Sequence, residues 1–172
     1  EVLSKITIPL VVVENFTEAS HISSVYIDDV AGITLASQYL IDQGHKKIGV
    51  IAGHRKMLTT DRRIKAVKSI FKQHHIPFNG KHIVYGDYSS FQSGAQALEK
   101  LMKNPCQPTA ILAFNDILAI GALKKAVQMG LEIPRQLAII GFDDIPIAAY
   151  STPALSTIHS PSLELGERAA SL

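Results

Sequence analysis

Apolar residues fall along this chain in two alternating rhythms: short runs rich in Val and Ile, and longer stretches with the period of an amphipathic helix. The first rhythm predicts strands over Ile8–Val13, Val25–Ile27, Lys47–Ala52, Ile83–Tyr85, Ala110–Phe114, Leu137–Phe142 and Leu155–His159. The run Ile48-Gly49-Val50-Ile51 lacks polar alternation, as expected of a strand covered on both faces of a parallel sheet. The second rhythm predicts helices from Asp28-Asp29 to about Gln43, about Asp61 to His74, Ser89 or Ser90 to about Lys103, Asn115 to Met129, and Ser162 onward. The chemistry at their ends agrees. Asp28 and Asp29 suit the positive end of a helix dipole. Gly44 and Gly130 stand where a glycine ends a helix, and Pro105 and Pro134 block continuation. Ile145–Pro153 breaks the rhythm and reads as loop.

Strand–helix alternation of this kind predicts an α/β fold with a doubly wound parallel sheet and right-handed crossovers. The repeats from His45 to about residue 147 would form one complete lobe. Residues 1–44 and the returning segment 148–172 would both belong to a second, partial lobe, with tight crossings near Gly44 and Ala148. The chain starts without Met just before a strand and stops inside a helical pattern. It therefore reads as a piece of a longer protein, with an excised domain having intact borders as the alternative.

Composition narrows the class. With 172 residues, 47% hydrophobic and 19% charged, the chain can bury a core and is not a disordered tail. A net charge of +2 and no Lys/Arg block longer than two residues exclude a strongly basic nucleic-acid module. One cysteine, Cys106, excludes a disulfide framework and is expected to be a small core or surface residue. No apolar run approaches a membrane span, and Glu1–Pro9 is not a leader peptide.

Parallel α/β sheets bind ligands beyond the carboxyl ends of their strands, so the residues following each strand are the candidates. These are Glu14-Asn15, then Gly53-His54 with Thr59, Thr60, Arg62 and Arg63, then Gly86-Asp87-Tyr88, Asn115-Asp116 and Asp143-Asp144. A guanidinium, an amide, carboxylates and an aromatic ring on one edge suit a polyol or a heterocycle. Each residue also has a structural explanation. Asn115 is a helix cap, a ligand contact or both. Asp143 and Asp144 are equally turn residues before Pro146. Glu14 reads as a solvated loop residue, Tyr88 as a half-buried aromatic, and Arg63 as half of an ion pair. Their shared edge carries the inference.

Motifs for chemistry are missing: there is no G-x-S-x-G elbow, no P-loop and no G-x-G-x-x-G after a strand. His74 and His75 are adjacent and cannot share a helix face, and His54 has no accompanying ligand cluster, so neither a metal nor a cofactor is expected.

Several stretches, taken in order, resemble the LacI/GalR family of bacterial transcriptional regulators. Ile8-Pro9-Leu10-Val11-Val12-Val13 resembles the family's IPVV strand. Val25-Tyr26-Ile27-Asp28-Asp29-Val30-Ala31-Gly32 resembles V-x-x-D-N-x-x-G. Leu40 to Ile48 resembles L-x-x-x-G-H-x-x-I, and Phe114 to Gly121 resembles x-N-D-x-x-A-x-G. Ile133-Pro134 with Gly141-Phe142-Asp143-Asp144 resembles I-P followed by G-F-D-D. Thr152 to Ile158 and Leu165 to Ala170 resemble x-P-x-L-T-T-I and L-G-x-x-A. The resemblance implies a periplasmic-binding-protein-like fold of two doubly wound lobes, one complete and one partial here, with a sugar or nucleobase effector between them. It also implies a cytoplasmic homodimer that is not an enzyme and reaches operator DNA only through a helix-turn-helix head absent from these residues. By position, Arg63 falls on the arginine that forks to ligand. Asn115 and Asp143 fall on positions that bind polar ligand groups, and Tyr88 on one where a ring stacks. Thr59 and Glu14 are carried over less directly. Ala66 stands where the family has glycine, and Arg135 where it often has an acidic residue. A periplasmic-type sugar-binding protein of the same fold is one alternative, and an α/β enzyme using Asp143 or Asp144 is another.

Overall fold

The computed structural model describes residues 8–14, 22–105 and 107–172, so Asn15 and Cys106 lie outside the described residues. The backbone separates into two compact units. One takes in the chain up to Asp28 together with Ser160–Leu172, and the other is Asp29–His159.

The larger unit holds strands β3 (Ile48–Ala52), β4 (Ile83–Tyr85), β5 (Ala110–Ala113), β6 (Ala138–Asp143) and β7 (Ser156–His159). They form one sheet in the order β4-β3-β5-β6-β7, and every pair is parallel. Each residue of β3 and β5 is buried, as their unbroken apolar runs require of strands covered on both faces. Helix α1 (Asp29–Asp42) leads into β3, and helices α2 (Leu58–Gln73), α3 (Phe91–Met102) and α4 (Asp116–Gln128) make the crossovers between the sheet's strands. Their ends follow local chemistry. Ser90 Oγ accepts from Ser93 N at 3.1 Å to cap α3, and Asn115 Oδ1 accepts from Leu118 N at 2.9 Å to cap α4. Past α1 and α4 stand Gly44 (φ +87) and Gly130 (φ +75), in the left-handed conformation that closes a helix.

Helix α2 starts at Leu58, three residues before the expected Asp61. Thr59 and Thr60 are poor helix formers, but Thr60 is buried and bonded to Tyr88, and that tertiary contact outweighs propensity. Strand β6 runs on to Asp143, one residue beyond expectation, because Asp143 still pairs with His159. Within the expected loop 145–153, residues Pro146–Tyr150 form a 3-10 turn.

The smaller unit contains the parallel pair β1 (Val11–Val13) and β2 (Ser23–Val25), with Val11 opposite Ser23. Helix α5 (Ser162–Ala170) packs on both strands and buries Leu165. The sequence pattern sets the crossings near 44 and 148, whereas the chain passes between units at 28/29 and 159/160. The cause is α1. It packs along α2, and its Gly32 lies against Phe142 and Ile158, so the helix belongs to the larger unit.

Candidate functional site

A parallel sheet sends all its post-strand loops out of one edge. Here the chain leaves β3 for β4 on one side and then returns to β5 on the other, so the topological switch point lies between β3 and β5. Ligands of open α/β sheets bind beside such a point. The loops there carry Gly53 from β3 and Phe114-Asn115 from β5, flanked by Tyr88 after β4 and Asp143 at the end of β6.

Tyr88 is a half-buried ring laid against Gly53. A Cβ built on Gly53 would fall 1.9 Å from Tyr88 Cε2. The tyrosine hydroxyl lies 3.2 Å from Thr60 Oγ1, and its carbonyl accepts from Asn115 Nδ2 at 2.9 Å. Asn115 is thus a cap and a site residue at once, held at both ends of its amide. Burial pushes the Tyr88 phenol above its ordinary pKa; Thr60 and Arg63 pull it down, and the Asp29 and Asp143 carboxylates add to the rise. Replacing Gly53 with Ala is expected to expel this ring and return the phenol toward its ordinary pKa. Spectrophotometric titration would then show one fewer tyrosine ionising late.

Arg63 is 7% exposed. Its Nε donates to Asp29 Oδ1 at 2.7 Å, its Nη1 donates to the Phe114 carbonyl, and the guanidinium lies 3.9 Å from the centre of the Phe142 ring. Arg62 Nη2 donates to Asp29 Oδ2 at 2.5 Å. One buried carboxylate therefore holds two arginines, and Arg63 is fixed beside both β5 and β6. The sequence offers Asp29 only a helix-dipole role. Its partners lie 33 and 34 residues away, beyond any local signal.

Asp143 and Asp144 have φ of 111° and 57°, two consecutive non-glycine residues in left-handed backbone. Asp116, fully buried at the start of α4, holds this turn. Its carboxylate accepts from Thr157 Oγ1 at 2.5 Å and from Ile145 N at 2.9 Å. Burial raises the Asp116 pKa, while those donors lower it. Asp144 Oδ2 lies 2.9 Å from His159 Nδ1 on β7. Strained backbone held by a buried group is a common property of ligand clamps.

The larger unit thus brings Arg63, Tyr88, Asn115 and Asp143 to the same sheet edge. Thr59 is half-buried in the first turn of α2, and its neighbour Thr60 makes the contact with Tyr88. Glu14 is exposed after β1 in the smaller unit, with φ 60°, its N–H bonded to the Val25 carbonyl. Among the described residues no three His, Cys, Asp or Glu side chains are grouped to hold a metal ion, and no helix is long and apolar enough to cross a membrane.

The model of the periplasmic binding protein-like domain matches residues 37–172. The HTH-type transcriptional repressor CytR of Escherichia coli (strain K12) is 35% identical over 161 residues, covering 94% of this chain and 47% of that protein. The ribose operon repressor of Haemophilus influenzae is 35% identical over 164 residues, covering 95% and 49%. A solved Escherichia coli structure, described as a sugar-binding transcriptional regulator of the LacI family complexed with phosphate, superposes with a TM-score of 0.88 at 33% identity. It covers 98% of this chain and 60% of that one. The chain spans about half the length of the repressors it matches. With its parallel sheet, switch-point site and a family match over most of its length, the chain belongs to the periplasmic binding protein-like domain family, in the form found in LacI-family transcriptional regulators.

Proposed function

We propose that this chain is the effector-binding part of a transcriptional repressor, taking a small polar ring, a sugar or a nucleobase, at the carboxyl edge of its five-stranded sheet. The observation that carries the reading is the delivery of Arg63, Tyr88, Asn115 and Asp143 to one edge beside the switch point. In this reading the Arg63 guanidinium and the Asn115 amide donate to ligand oxygens, the Asp143 carboxylate accepts from hydroxyl or ring N–H groups, and the Tyr88 ring provides an apolar face. Thr59 lines the same edge, and Glu14, in the smaller unit, is a separate candidate ligand contact. The protein works in the cytoplasm as a homodimer and is not an enzyme. It reaches operator DNA through a head outside these residues. Ligand alters DNA affinity only by its differential affinity for two states of the whole protein.

Calorimetry with D-ribose, cellobiose and purine bases tests this. Saturable binding is expected for one of them, with the ligand recovered unchanged. Arg63→Ala and Asp143→Ala should each weaken it by tenfold or more, about 1.4 kcal/mol. Affinity untouched by both substitutions would sink the site assignment, and turnover of the ligand would sink the non-enzymatic reading. Thermal unfolding of each variant, run alongside, separates lost contacts from lost fold.

A further inference from the structure

The carboxyl edge of the sheet carries Asp29, Asp87, Asp143 and Asp144 together with Arg55, Lys56, Arg62 and Arg63. The amino edge, where the chain enters the strands, gathers cations in the loops before β3 and β4. Lys46 and Lys47 precede β3, Lys81 precedes β4, and His74 and His75 follow α2 on the same edge. All five are exposed. Strand pairing aligns the two loops, since Val50 lies opposite Ile83. Hydrogen bonds tie them to a third loop: Lys47 O accepts from Thr109 N at 2.8 Å, and Lys81 O accepts from the side-chain Nδ2 of Asn104 at 3.1 Å.

None of the three lysines forms an ion pair with a described residue. Two carboxylates, Asp42 four residues before Lys46 and Glu99 in α3, have other partners. Asp42 accepts from Gln38 Nε2 at 2.7 Å, and Glu99 holds Lys103 at 3.4 Å and Lys125 at 3.6 Å. Lysines in the last turn of a helix offset its dipole. That accounts for Lys72, Lys100 and Lys125 but not for Lys46, Lys47 or Lys81, which stand in loops. At His45, the residue before Lys46, begins a cavity of about 480 Å³ lined by Leu40, Leu123 and Leu155 and by the polar Gln43, Arg135 and Ser156.

We propose that this rim and cavity form a docking surface for an acidic segment of a protein partner, with carboxylates on Lys46, Lys47 and Lys81 and an apolar side chain in the cavity. Neighbouring strands are roughly 4.8 Å apart, so the rim matches carboxylates one helical turn or two extended residues apart. That is a small footprint. Duplex DNA is held by many phosphate contacts spread over a wide face, wider than three lysines on two neighbouring loops. The surface lies on the sheet edge away from the effector site, so it is independent of the function proposed above.

The test is fluorescence anisotropy of the full chain with a short fluorescein-labelled peptide of glutamates around a central leucine, at low salt. Saturable binding is expected, reduced roughly tenfold or more by K46E/K47E/K81E. The control K65E/K68E/K124E makes the same change in net charge elsewhere and should leave binding within about twofold. Replacing the peptide's leucine by serine should weaken binding. Equal losses in both triple variants would mean general charge attraction and overturn the proposal, as would no binding. Tighter binding of a duplex DNA through the same lysines would overturn the partner class. If the reversal variant fails to fold by circular dichroism, K46Q/K47Q/K81Q carries the same comparison.

Discussion

Gly121→Ala is expected to lower the stability of this chain by ~3 kcal/mol, at the upper end of what overpacking usually costs. Two opposing effects meet at this position. Alanine is the better helix former by ~1 kcal/mol, which alone predicts a gain. But α3 and α4 are in backbone contact here. A Cβ on Gly121 would fall 1.9 Å from the Phe91 carbonyl oxygen, and one on Gly94 would fall 2.1 Å from that of Leu118. A carbonyl oxygen in a helix cannot swing aside as a side chain can, so relief requires the two helices to separate. Separation opens the packing of Leu98, Leu101, Leu118 and Ala122, all buried in the same core cluster. Sterics should therefore win, and the unfolding midpoint should fall by roughly 6–12 °C for a chain of this size. Gly166→Ala is the matched control. Gly166 lies in α5 with nothing within 4 Å of its would-be Cβ, so propensity acts alone and stability should rise by ~0.5–1 kcal/mol. If thermal unfolding shows both substitutions stabilising, the close approach of α3 and α4 is wrong.

The same contrast between local and distant effects explains what could be read from the sequence. The α/β rhythm was legible because its causes are local: β3 and β5 are unbroken apolar runs, Asn115 caps its own helix, and Gly44 ends one. The edge of the sheet on which Arg63, Tyr88, Asn115 and Asp143 gather was legible too, since parallel strands send their following loops the same way. What holds those residues was not. The partners Asp29 and Arg63, Asp116 and Thr157, and Thr60 and Tyr88 are separated by 34, 41 and 28 residues. No periodicity encodes pairs at such distances. The unit to which α1 belongs was missed for a related reason. A helical stripe shows that a face is buried, but not which neighbour covers it, and here the neighbours are α2, Phe142 and Ile158.

Asp29→Ala tests the most consequential of those hidden pairs, and it should destabilise the chain by ~3–5 kcal/mol, the usual effect of breaking a buried ion pair from one side. The two arginines respond differently. The Arg62 side chain is 30% exposed and can recover water, whereas that of Arg63 is 8% exposed and recovers little. Losing the carboxylate leaves Arg63 with the Phe114 carbonyl and the Phe142 ring, neither of which neutralises its charge. The cost is thus the stranded cation more than the lost attraction. This makes a sharp expectation for the double variant: Asp29→Ala with Arg63→Met should be markedly more stable than Asp29→Ala alone, because no charge is left buried. Arg62→Ala by itself should cost ~1 kcal/mol or less, as a partly solvated pair does. Urea unfolding of the wild type, Asp29→Ala, Arg63→Met and the double variant closes the cycle. A double variant no better than Asp29→Ala would mean that the carboxylate acts by capping α1 rather than by holding Arg63. If the pair is what fixes Arg63 beside Asn115 and Phe142, then Asp29→Asn, which keeps the shape and removes the charge, should loosen the guanidinium. Effector affinity should then fall with little change in which ligand is preferred, since Asp143, Asn115 and Tyr88 remain in place.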